Sequence, residues 1–124
     1  VWWHKTWAYR EGSDREGFVN YNRDRAKMYE MICNACRQME EKHRLPMIPA
    51  GDVLQAAGED KFFNGKEGIS LYRDGGHLSL PAGLYLAGLA WFRYLLRGEV
   101  GKVAFVPEGL SEDAAALLKE YCRK

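Results

Sequence analysis

The stretch Tyr72-Arg73-Asp74-Gly75-Gly76-His77-Leu78-Ser79-Leu80-Pro81-Ala82-Gly83 decides how the chain is read. It sets a carboxylate and an imidazole three residues apart on a glycine-containing turn that runs directly into an apolar segment. A histidine positioned beside a carboxylate can take a proton from a hydroxyl nucleophile, while the carboxylate fixes the ring tautomer and stabilises the imidazolium that forms. The two intervening glycines are expected to let the backbone fold back so that the side chains meet. Each residue also has a plainer reading. Asp-Gly is a common turn dipeptide because Asp bonds its own backbone, and His77 could cap the helix expected to begin near Leu80.

Downstream, Pro81 sits where a first-turn proline is tolerated, with Ser79 or Leu80 as cap. An apolar helix is expected to run from there to about Arg97. Its apolar stretch, residues 84–96, is broken by Arg93 and falls short of the roughly 20 residues a membrane span requires, so no membrane span is expected. Residues 102–106 alternate weakly and suggest a short extension or edge strand. Ser111 then caps a final helix reaching Arg123.

Upstream, residues 1–9 have the aromatic and β-branched content of a strand, and residues 10–22 form a polar loop. From about Arg23 to His43 the apolar residues Met28, Tyr29, Ile32, Ala35, Cys36 and Met39 recur at helical spacing. Leu45-Pro46-Met47-Ile48-Pro49 reads as a short strand, since its prolines fit only strand ends or an edge. A short helix over residues 50–57, closed by Gly58, follows. Residues 59–72, containing Asn64-Gly65 and Gly68, form the loop that delivers the chain to the Asp/His turn.

The composition is that of an ordinary globular domain: 124 residues, 47% hydrophobic and 28% charged. Its 18 basic and 17 acidic residues are interspersed, giving a formal charge of +1 with no basic face for nucleic acid. Three cysteines do not complete a disulfide framework. The Cys33-Asn-Ala-Cys36 spacing lies inside the expected helix without a second ligand pair, so these are ordinary half-buried thiols. No metal motif is present, and no cofactor is expected.

The Asp74/His77 block, with Ser79 and Gly83 after it, resembles the last signature block of the SGNH (GDSL-type) hydrolase superfamily. The segments His4-Lys5-Thr6-Trp7-Ala8-Tyr9-Arg10 and Asn20-Tyr21-Asn22-Arg23-Asp24 are similar to the later half of a bacterial SGNH-like group. The resemblance implies an α/β fold: the C-terminal portion of a three-layer α/β/α sandwich with a parallel, flavodoxin-like sheet. It also implies a serine nucleophile and oxyanion hole nearer the N-terminus. No Gly-Asp-Ser or Gly-x-Asn-Asp block occurs here, and Ser13, in the charged run from Arg10 to Glu16, has no strand leading into it as a nucleophile elbow needs. The expectation is that residues 1–124 are the C-terminal part of one hydrolase domain whose nucleophile-bearing half lies outside the chain. The alternative is a naturally short protein without the chemistry.

On this reading His77 is the general base and Asp74 its orienting partner. The substrate is a small-molecule or carbohydrate ester, an O-acetyl sugar being the best fit, with Trp7 and Tyr9 available to pack against it. His4, within the strand, is expected to be a satisfied core residue or a support behind the site residues rather than a catalytic group. A non-catalytic carbohydrate-binding or assembly module is the rival function.

Overall fold

The computed structural model describes residues 1–65 and 69–124. Among the described residues four α-helices and a very short parallel sheet, a mixed α/β arrangement, surround one main core. The sheet pairs β1 (Trp3–His4) with β2 (Met47–Ile48), Trp3 opposite Met47 and His4 opposite Ile48. The Trp3 N–H donates to Pro46 O at 2.9 Å and the Lys5 N–H to Ile48 O at 3.0 Å.

Helix α1 (Arg25–His43) connects the two strands. Asp24 caps it, its carboxylate accepting the Lys27 N–H at 3.2 Å, and it closes on Arg44, which adopts the left-handed conformation at φ 52°. The helical spacing places Met28 and Cys36 inside and Ile32 and Met39 at the boundary, while Ala35 is exposed. Arg25 is buried as well, and its guanidinium donates to Leu54 O at 3.2 Å. It thereby ties the start of α1 to the middle of the next helix.

That helix, α2 (Ala50–Gly58), follows β2 directly. Its Gly51 N–H donates to Lys5 O at 2.9 Å, and a Cβ on Gly51 would lie 1.9 Å from Thr6 O. Only glycine lets α2 approach the end of β1 so closely. Helices α3 (Gly83–Leu95) and α4 (Glu112–Arg123) complete the structure, with α3 packed against α2, α4 and β2. Leu54, Phe63, Leu71, Leu86 and Leu118 are fully buried in the core they share. A smaller cluster of Ala8, Phe18 and Met28 lies beneath Tyr9, Tyr21 and Tyr29.

Several expectations are corrected. The strand over residues 1–9 contracts to β1, because beyond Lys5 the chain bonds elsewhere: Tyr9 N–H to Met28 Sδ at 3.3 Å and Arg10 N–H to Gly75 O at 3.0 Å. The polar loop contains a 3-10 helix, Glu16–Tyr21. Where a short extension or edge strand is expected over residues 102–106, the structure has a 3-10 turn, Val100–Lys102, followed by chain outside any strand. Its carbonyls are met by side chains, with Lys119 Nζ donating to Val103 O at 2.6 Å and Tyr85 Oη to Phe105 O at 2.9 Å. Helix α3 begins at Gly83, after Pro81, with Ser79 Oγ accepting the Gly83 N–H at 3.0 Å. The final helix and its Ser111 cap lie where the sequence puts them, Ser111 Oγ accepting the Ala114 N–H at 3.1 Å. Gly68 lies outside the described residues. Among the described residues no helix is long and apolar enough to cross a membrane.

Candidate functional site

The Asp/His segment forms a tight hairpin. Tyr72 and Leu78 pair as an antiparallel bridge, the Arg73 N–H donates to His77 O at 2.9 Å, and the Ser79 N–H donates to Leu71 O at 2.8 Å. At the tip Asp74 turns back on its own backbone, with Oδ1 accepting the N–H groups of Gly76 at 2.8 Å and His77 at 2.7 Å. That leaves Oδ2 for the imidazole, and it lies 2.8 Å from His77 Nδ1. Both side chains are open to solvent, 43% exposed for Asp74 and 55% for His77.

The backbone N–H groups of Gly76 and His77, then the imidazole and the Arg15 guanidinium, hold the Asp74 carboxyl well below the usual carboxylate range. An ionised Oδ2 at 2.8 Å calls for a proton on Nδ1. Nε2 is then the basic nitrogen, and no described residue bonds it.

One upstream segment, residues 7–10, braces the hairpin. Trp7 Nε1–H donates to Gly76 O at 3.0 Å, and the Arg10 N–H donates to Gly75 O. Tyr72 Oη, from the hairpin itself, donates to Ala8 O at 2.7 Å. The Tyr9 ring lies against Gly76, where an added Cβ would meet its Cδ1 at 3.2 Å, and stands edge-on to Phe18 at 5.7 Å between centroids. Both aromatics singled out in the sequence therefore border the loop that carries the dyad.

The glycines serve a different purpose from the one expected. Neither Gly75 nor Gly76 has a positive φ, so the turn does not need their conformational freedom. What Gly75 provides is space, since a Cβ there would lie 2.3 Å from Ser13 Oγ. Ser13 is buried directly behind the hairpin, its hydroxyl accepting the Arg15 N–H at 3.3 Å.

The other serines are also committed locally. Ser70 Oγ accepts the Tyr72 N–H, Ser79 Oγ donates to Ser70 O, and Ser111 caps α4. None of the four forms a hydrogen bond with His77.

Arg15 is the participant that sequence reasoning missed. Its Nη2 lies 3.1 Å from Asp74 Oδ1 and 2.9 Å from His77 Nδ1. No local signal distinguishes it from its charged neighbours, because the contact spans 59 positions.

His4, expected in the core, is exposed, its ring 6.1 Å from that of Trp7 and 5.4 Å from that of Trp91. With only two strand residues paired, its position is not enclosed by a sheet. The three cysteines are free thiols, Cys33 half-buried and Cys36 and Cys122 buried. Among the described residues no group of three or more His, Cys, Asp or Glu side chains is placed to hold a metal. A cavity of about 550 Å³ lined by Arg10, Gly12, Arg25, Gln55 and Tyr72 reaches the base of the hairpin, and neither Asp74 nor His77 lines it.

A family model described as a domain of unknown function, DUF4886, matches residues 1–123, and the chain belongs to that family. No curated protein matches it. The crystal structure of a DUF4886 family protein from Bacteroides uniformis ATCC 8492 is similar, with a TM-score of 0.85 at 30% identity. The match covers 96% of this chain and 44% of that one, so the chain spans less than half the length of its relative.

Proposed function

We propose that this DUF4886 domain carries the acid–base half of a serine ester hydrolase, with the nucleophile supplied by residues outside the chain. The observation that carries the reading is the 2.8 Å contact between Asp74 Oδ2 and His77 Nδ1, which leaves Nε2 open on the surface. In the reaction the serine hydroxyl gives its proton to Nε2 as its oxygen bonds the ester carbonyl carbon. The proton passes to the departing alcohol as the old ester bond breaks, and water then repeats the sequence to free the acid. Asp74 keeps the proton of the resting ring on Nδ1 and offsets the imidazolium charge.

The finer architecture belongs to the same proposal: a three-layer α/β/α sandwich of the SGNH type, of which these residues form the C-terminal part. The parallel pairing of β1 and β2 supports it, as does the bracing of the Asp/His loop by the chain that continues from β1. The open setting of the dyad fits a site whose remaining walls come from another segment. The relative's longer chain leaves room for one. An O-acetylated carbohydrate is the substrate class the reading favours, with Trp7 and Tyr9 beside the loop to receive a sugar face.

A second reading, a carbohydrate-binding or assembly module without catalysis, is favoured by the local commitment of all four serines. Hydrolysis of an activated acetyl ester separates the two. The full-length protein should turn it over, the 124-residue chain alone should not, and His77→Ala in the full-length protein should lower kcat by about 10²–10⁴-fold. Near wild-type turnover by the His77 variant would overturn the hydrolase reading in favour of the module.

A further inference from the structure

We infer that Arg15 is a positioning residue that restrains the dyad: its guanidinium anchors Asp74 and competes with it for His77 Nδ1. The inference rests on the hydrolase reading for its catalytic consequence and on geometry for the competition itself.

His77 Nδ1 lies 2.8 Å from Asp74 Oδ2 and 2.9 Å from Arg15 Nη2. A neutral imidazole cannot hydrogen-bond to both at once. With a proton on Nδ1 the ring donates to Oδ2, and Nη2 finds no acceptor on the ring and is left with Asp74 Oδ1. With a lone pair on Nδ1 the ring accepts from Nη2, and the proton moves to Nε2. The first tautomer has its base at the open nitrogen; the second does not.

Arg15 can reach the ring without releasing the acid, because Nη2 carries two hydrogens and Asp74 Oδ1 stands 3.1 Å away. Oδ1 has two further donors in the Gly76 and His77 N–H groups, which hold the carboxylate by that oxygen even in the tautomer in which Oδ2 loses its bond to the ring. The guanidinium is thus a local brake, holding part of the population in the tautomer that cannot accept a proton at Nε2. An anionic group that engaged the partly exposed Arg15 side chain would release it.

The test is the tautomer of His77, read from its ring ¹⁵N shifts in histidine-labelled full-length protein at a pH where the ring is neutral, with the resonance assigned through His77→Gln. Arg15→Met should raise the ratio of Nδ1–H to Nε2–H forms by about 2- to 10-fold, the range a single net hydrogen bond covers. Arg15→Gln, which keeps a donor for Asp74 but weakens the charged contact, should move it the same way and serves if the Met variant folds poorly. On an activated acetyl ester both variants should raise kcat by no more than that factor and leave KM unchanged. An unchanged tautomer ratio in both variants overturns the inference, even if the protein hydrolyses esters. A shifted ratio in a protein without esterase activity upholds the competition for Nδ1 and refutes the hydrolase reading instead.

Discussion

The indole N–H of Trp7 donates to the backbone carbonyl of Gly76 at 3.0 Å, joining the chain beyond β1 to the tip of the Asp/His hairpin across 69 positions. Trp7→Phe keeps an aromatic ring and removes the donor. It should cost about 0.5–1.5 kcal/mol of stability in urea unfolding and speed hydrogen exchange at the His77 amide. Unchanged stability and exchange would mean that the hairpin holds its shape without this brace.

A methyl group at position 75 has no room. Gly75→Ala would put a Cβ 2.3 Å from Ser13 Oγ and 3.3 Å from Arg15 Cγ, and overpacking of this kind typically costs about 1–3 kcal/mol. Ser13→Ala removes the colliding oxygen, so the double variant should recover much of the loss. Simple addition of the two effects in a double-mutant cycle would show that Ser13 is not what excludes the side chain.

Asp74→Asn in the full-length protein should lower kcat on an activated acetyl ester strongly, because the amide can stabilise the wrong tautomer and cannot offset an imidazolium charge. Combined with His77→Ala it should add little further loss, as expected for groups acting as a unit. Losses that add in free energy would mark the pair as two independent loop residues. Circular dichroism of each variant establishes that folding is retained.

Asp74 also makes a prediction for acid. Its carboxyl is held below the ordinary value of 3.8, first by the Gly76 and His77 N–H groups, so the folded state binds its proton more weakly than the unfolded chain. The resulting stabilisation is fully present above the unfolded value and is lost as pH falls through the folded one. Asp60 acts in the same sense, held down first by the Tyr121 hydroxyl and then by the Phe62 N–H. Urea midpoints of wild type and Asp74→Asn should therefore converge as the pH is lowered below about 4. A gap that stays constant down to pH 2 would contradict the assignment.

What the sequence made legible was local. Helix α1 followed from the spacing of Met28, Ile32, Cys36 and Met39, and α4 from Ser111, because a helix and its cap are decided within a few residues. Strand lengths were not legible, since Trp3 and His4 are strand only where Met47 and Ile48 lie beside them. The Asp74–His77 contact could be foreseen from a spacing of three. Arg15 could not, nor could the reason for Gly75, because Ser13 and Arg15 reach the hairpin only through the folded course of the intervening chain.

The bonds at the dyad are of two ranges. Asp74 meets the Gly76 and His77 backbone and the His77 ring within three positions, whereas Arg15 arrives from 59 away. A turn whose bonds are this local closes with little loop entropy, so it can form in a short peptide before the rest of the chain has organised. The carboxylate–imidazole pair is thus set within its own turn, whereas the guanidinium contact depends on the folded course of the chain between positions 15 and 74. A chain that kept this turn but displaced Arg15 would hold the Asp74–His77 pair without its brake.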